Sequence, residues 1–188
     1  VFFIFIIKKL NTLHNKMTYF YYGWLFGFGY FFASLYWITI SLTFDKDFSF
    51  FIPLTIFLIP AFLGIFYGLV TFVFFLFNLK NLISNFFLFT LLFGLTEFLR
   101  GNILTGFPWN LIIYSFSENL NFLSFISVVG TYSFNLLIIS IFSIPALYIL
   151  RKSKKEIIVC VIFLLIPFFL FYYGSFYKNK FISNDLKQ

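Results

Sequence analysis

The amino-acid sequence predicts an all-α integral membrane protein: a bundle of about five transmembrane helices preceded by a partial N-terminal helix. Three observations carry this expectation. Hydrophobic residues make up 62% of the chain and charged residues only 10%, whereas a soluble domain is roughly a quarter charged. Mean hydropathy is +1.00. Several apolar runs reach the ~20 residues needed to cross a hydrocarbon layer. Such a chain lacks the polar surface that would cover an apolar core in water. The 36 phenylalanines sit beside abundant Ile, Asn and Lys. That composition reads as the mark of an AT-rich genome, since lipid-facing positions accept any large apolar side chain.

Taken in order, residues 1–7 form an apolar run too short to span a membrane. No basic stretch precedes it and no small-residue cleavage site follows, so it is not a signal peptide. It reads as the end of a helix whose beginning lies outside the sequence. Longer stretches follow at about 19–42, 50–77, 82–99, 122–150 and 157–177. The first contains Gly23 and Gly27, a GxxxG pair that lets two membrane helices approach closely. The second holds Pro53 and Pro60, the fourth Pro145 and the fifth Pro167. Proline inside a spanning helix can kink it. The stretch at 50–77 exceeds one straight crossing and predicts a tilt or a kink near Pro60.

The connections set an orientation. Lys8, Lys9, Lys16, Lys80, Arg151, Lys152, Lys154 and Lys155 fall on one side if each stretch crosses once. That side holds eight of the thirteen basic residues and, of the acids, only Glu156. By the positive-inside rule it is cytoplasmic. Residues 43–49, 100–121 and the tail from 178 then face the opposite side. The net charge of +7 therefore reads as topology and not as nucleic-acid binding.

The sequence excludes several chemistries. Cys160 is the one cysteine, which rules out an internal disulfide and a cysteine-based metal cluster. It sits in an apolar helix, where burial disfavours the thiolate that reactivity needs. His14 is the one histidine and lies in a basic loop away from the outer face, so no Ser-His-Asp triad and no two-histidine metal site are expected. The residues alone present no catalytic constellation.

The most informative segment is 96–114. Glu97 and Arg100 stand three apart at the end of a helix, on one face and within reach of each other. Ionisable groups at membrane depth mark a site or a buried pair. Two readings stay open: a structural ion pair, or a lipid-phosphate site gripped by the Arg100 guanidinium. Gly106 and Pro108 then forbid a regular helix. Gly106, Phe107, Pro108 and Trp109 predict a non-helical dip at the interface, with Trp109 and Tyr114 at headgroup level. This is either a simple aromatic anchor or the wall of a lipid-binding cleft. Trp37, after Tyr36, takes a similar position near the end of the stretch at 19–42.

The run Thr96-Glu97-Phe98-Leu99-Arg100-Gly101, then Leu104-Thr105-Gly106-Phe107-Pro108-Trp109, then Tyr114-Ser115, resembles the signature of apolipoprotein N-acyltransferase. The resemblance extends to Gly27-Phe28-Gly29, Tyr36-Trp37 and Ser41 upstream, and to Gly130 and Phe134-Asn135-Leu136-Leu137 downstream. Asn110, Ile112 and Ile113 depart from it. The resemblance implies an enzyme of the bacterial inner membrane without a cofactor or metal. Its acyl donor is a phospholipid and its acceptor the N-terminal cysteine amine of a lipoprotein. In that family a periplasmic nitrilase-like domain supplies a Glu-Lys-Cys triad that works through a thioester. No residue here matches that triad, and Cys160 does not replace it. On this resemblance residues 1–177 are the transmembrane region and 178–188 begin a periplasmic linker. Such a piece is expected to be inactive alone. The alternatives are a small polytopic transporter or a non-catalytic membrane scaffold. Against a transporter, the stretches at 19–42, 50–77, 122–150 and 157–177 carry almost no ionisable residue at mid-membrane depth.

Overall fold

Helices follow one another along the whole of the computed structural model, which describes residues 2–10, 15–44, 46–77, 79–103, 106 and 108–185. In order these are α1 (Phe2–Leu10), α2 (Lys16–Ser34), α3 (Ile38–Ser41), α4 (Ile52–Leu76), α5 (Leu82–Asn102), α6 (Leu120–Leu123), α7 (Ile126–Val129), α8 (Thr131–Ile149) and α9 (Lys154–Asp185). Short 3-10 turns cover Lys46–Phe51 and Ile112–Phe116. Helices α4, α5, α8 and the Lys154–Lys178 part of α9 are long and apolar enough to cross a membrane. At 1.5 Å rise per residue, the 25 residues of α4 extend about 37 Å, more than the ~30 Å hydrocarbon layer. The chain is an all-α, multi-pass membrane protein.

The residues group into two compact units, one of Phe2–Leu79 with Leu99–Asn110 and one of Lys80–Phe98 with Leu111–Gln188. The first is built on the contact of α2 with α4. Gly23 and Gly27 of α2 face Gly64 and Gly68 of α4. A Cβ at Gly27 would stand 2.9 Å from the Gly64 Cα, and one at Gly64 would stand 3.0 Å from the Trp24 carbonyl oxygen. The GxxxG expectation on α2 thus meets a second pair of the same spacing on α4, and the two backbones approach because neither carries a side chain there. Two polar bonds fix the register. Trp24 Nε1 donates to the Ala61 carbonyl at 2.8 Å, and the buried Thr71 hydroxyl donates to the Tyr19 carbonyl at 2.7 Å. Helix α1 adds stacking of Phe2 on Phe26 with ring centroids 4.0 Å apart.

The second unit has its core at Leu111, Ile113, Phe134, Ile138 and Leu170. Asn135 of α8 is fully buried, and its Oδ1 accepts the Ile113 backbone N–H at 3.0 Å. That bond moors the 3-10 turn to α8. Gly174 of α9 lets the Asn121 carbonyl close in on the helix backbone. Phe86 of α5 meets Phe163 of α9 edge-on at 5.6 Å.

Element boundaries differ from the sequence expectation at three places. The stretch at 19–42 is not one helix: α2 ends at Ser34 and α3 resumes at Ile38. Here the Ser34 hydroxyl donates back to the Tyr30 carbonyl, a bond that competes with the helical ladder and bends it. The stretch at 122–150 is divided into α6, α7 and α8. Gly130 holds φ +80° between α7 and α8, a conformation that stops a right-handed helix and that glycine tolerates. The last helix does not stop at 177 but continues to Asp185. Its polar end holds no residue that would break it, as Gly174 is its last glycine and Pro167 its last proline.

Candidate functional site

The end of α5 and the segment after it carry a group of polar contacts within the first unit. Among the described residues Arg100 is the largest fully buried side chain, only 1% exposed. Its Nη1 donates to the Trp109 carbonyl at 3.0 Å, so the segment curls back onto the helix it leaves. The Arg100 guanidinium lies over the Phe31 ring of α2, 5.2 Å from the centroid. A planar guanidinium is suited to this double duty, since it donates in its plane and stacks on its face.

Two backbone features allow the return. Gly106 has φ +75° and donates its N–H to the Ile103 carbonyl at 2.9 Å. A Cβ there would stand 2.7 Å from the Gly101 carbonyl oxygen. Asn110 has φ +65°, a value that few non-glycine residues other than Asn, Asp and His adopt. Asn110 is also the anchor. Its carbonyl accepts the Tyr30 hydroxyl at 3.0 Å, and its Nδ2 donates to the Ser34 hydroxyl. Tyr30, Phe31 and Ser34 thus hold the segment against the last turns of α2. The Ser34 bonds also explain why α2 ends where it does.

The sequence candidates separate by unit. In the first, Arg100 is buried, Gly106 and Pro108 are half-buried, and Trp109 and Trp37 are exposed at 57% and 47%. Trp37 stands on the turn between α2 and α3. Phe107, with Leu104 and Thr105 of the same motif, lies outside the described residues, as does His14. In the second unit, Glu97 is fully buried on α5, one turn before Arg100 in sequence, and Tyr114 is exposed on the 3-10 turn. Arg100 is 1% exposed, and its described contacts are to the Trp109 carbonyl and the Phe31 ring. Cys160 is buried within α9. Among the described residues no three of His, Cys, Asp and Glu stand together in a way that could hold a metal ion.

Sequence reasoning missed Tyr30, Ser34 and Asn110 as partners of the segment. It also missed Asn135, for which a signal existed: an amide within an otherwise apolar spanning helix needs a partner. A third device was legible as a motif. Ser153 and Glu156 have the Ser-x-x-Glu spacing of a capping box, and the Glu156 carboxylate accepts the Ser153 N–H at the start of α9.

The sequence profile of the apolipoprotein N-acyltransferase N-terminal domain matches residues 1–144. The chain is 37% identical over 137 residues to the apolipoprotein N-acyltransferase of Allorhizobium ampelinum, covering 72% of this chain and 26% of that protein. It is 38% identical over 140 residues to that of Rhizobium etli, covering 71% and 25%. It is 41% identical over 133 residues to that of Rhodopseudomonas palustris, covering 68% and 24%. The chain spans about a quarter of the length of these curated relatives.

Proposed function

The chain belongs to the apolipoprotein N-acyltransferase family, through its N-terminal membrane domain, and on that premise we propose that it forms the membrane platform for acyl transfer to lipoproteins. The reaction moves an acyl chain from a phospholipid to the amine of a lipoprotein's N-terminal cysteine. The platform lies in the bacterial inner membrane with the end of α9 on the periplasmic side. The basic asymmetry of the connecting segments supports that orientation. Within the first unit, Arg100, Gly106 and Pro108 shape the segment that Trp109 anchors at the interface, and Trp37 stands at the same level. This segment forms a wall for the lipid donor. Glu97 supports the helix end and Tyr114 marks the headgroup level on the second unit.

The observation that carries the reading is the clamped segment itself. It falls within the matched region 1–144, it is held by a buried arginine, and it presents an exposed tryptophan. These 188 residues provide lipid contacts and not the nucleophile. The one thiol, Cys160, is 2% exposed within an apolar spanning helix. Purified chain incubated with phospholipid and a diacylated lipopeptide should give no N-acylation. Turnover that persists in Cys160→Ala would place the chemistry on residues of this chain and overturn the division of labour.

A further inference from the structure

The connection between α8 and α9 is four residues long. Both helices are apolar enough to cross a membrane, so this connection must sit at a membrane surface. Arg151, Lys152, Lys154 and Lys155 lie within five consecutive residues, and all four are exposed. The nearest acid, Glu156, is 5% exposed. Its carboxylate accepts the backbone N–H of Lys152 at 2.7 Å and also that of Ser153, and it lies in the field of Lys152, so one carboxylate offsets part of four positive charges. Arg151 is held in place. Its guanidinium carbon lies 3.9 Å from the centroid of the Tyr148 ring, and its Nη1 donates to the Tyr148 carbonyl at 2.6 Å. One of its five N–H donors is engaged there, and the exposed edge keeps others available to an anion.

We propose that this connection is a binding site for the phosphate of an anionic phospholipid headgroup, with Arg151 as the oriented donor and Lys152, Lys154 and Lys155 as the surrounding charge. An oriented guanidinium pairs with two phosphate oxygens at once. Clustered cations beside a spanning helix are attracted to an anionic leaflet. The site is separate from the acyl-donor wall proposed above, being formed by α8 and α9 alone, and it holds whichever way the chain is oriented. Its lipid is a bound neighbour that steadies the α8–α9 connection and is not consumed.

The full chain in neutral detergent tests this through its melting temperature. Short-chain phosphatidylglycerol should raise it, while short-chain phosphatidylcholine and inorganic phosphate at the same concentration should not. In the double variant Arg151→Gln, Lys154→Gln the apparent affinity for phosphatidylglycerol should fall about tenfold or more. An equal response to phosphatidylcholine, an equal response to free phosphate, or an unchanged affinity in the variant would overturn the proposal. If the variant does not fold, the native chain decides alone. Its response to phosphatidylglycerol should fade between low salt and about 1 M salt, where charge attraction is screened within ~3 Å. A response that persists undiminished would overturn it.

Discussion

Arg100→Met removes the guanidinium while keeping most of the side-chain volume, and with it two described interactions. One is the 3.0 Å bond from Nη1 to the Trp109 carbonyl. The other is the guanidinium over the Phe31 ring at 5.2 Å. A hydrogen bond from a charged donor contributes about 1.5–3 kcal/mol. A cation–π contact contributes about 0.5–2 kcal/mol, with the higher values for desolvated sites. The hydrogen bond is only part-buried, so its share lies near the lower end, and the two together come to about 2–4 kcal/mol. An apolar replacement of a buried charge can recover part of that through packing. The cycle with Phe31→Leu is therefore the sharper measure: it should give a coupling of about 0.5–2 kcal/mol between the two positions. Unfolding in mixed micelles, followed by far-UV circular dichroism against rising SDS, measures each free energy. Hydrogen exchange should show the Ile103 and Gly106 amides losing protection in Arg100→Met. A variant within about 0.5 kcal/mol of the native chain, with unchanged exchange at Ile103 and Gly106 and no coupling to Phe31, would refute the clamp.

Three further outcomes follow from the same contacts. Gly27→Leu should separate α2 from α4, because even a Cβ there meets the Gly64 Cα and the Tyr67 Cβ at 2.9 Å; overpacking of this kind destabilises by about 1–3 kcal/mol or more, read by the same SDS titration, whereas Gly29→Leu should be tolerated because its Cβ meets nothing within 4 Å. Gly106→Ala should destabilise by at least about 1–2 kcal/mol, since φ is +75° and left-handed backbone is unfavourable for a residue with a Cβ; an Ala variant as stable as the native chain would contradict the described turn. A cysteine placed at Ser153, in a Cys160→Ala background, should resist a membrane-impermeant thiol reagent applied from the periplasmic side, and strong labelling from there would reverse the orientation.

Long apolar runs made α4, α5 and α9 legible, because a span needs only length and hydropathy, and both are properties of the sequence alone. The divisions inside 19–42 and 122–150 were not legible, because hydropathy averages over the single residues that cause them. Gly130 interrupts the apolar run by its positive φ and not by polarity. Ser34 does so by hydrogen bonds, one of them to a residue 76 positions away. The non-helical backbone at Gly106, Pro108 and Trp109 followed from Gly106 and Pro108. What holds it did not, since Tyr30, Phe31 and Asn110 become neighbours only once α2 and the end of α5 fold together. The GxxxG pair on α2 was legible as a packing face, and its partner was present in the sequence as Gly64 and Gly68 of α4. Local spacing alone does not say which two faces meet.

The most direct measurement is a chimera. Residues 1–144, the matched region, would replace the corresponding membrane region of the Rhizobium etli apolipoprotein N-acyltransferase. N-acylation of a diacylated lipopeptide would then be measured in membranes containing the chimera. If this region is the membrane platform of the family, the chimera should acylate the lipopeptide, and Arg100→Ala within it should lower turnover while the protein stays in the membrane. A chimera that inserts and folds yet leaves the lipopeptide amine free, or one whose turnover is indifferent to Arg100, would contradict the proposed role.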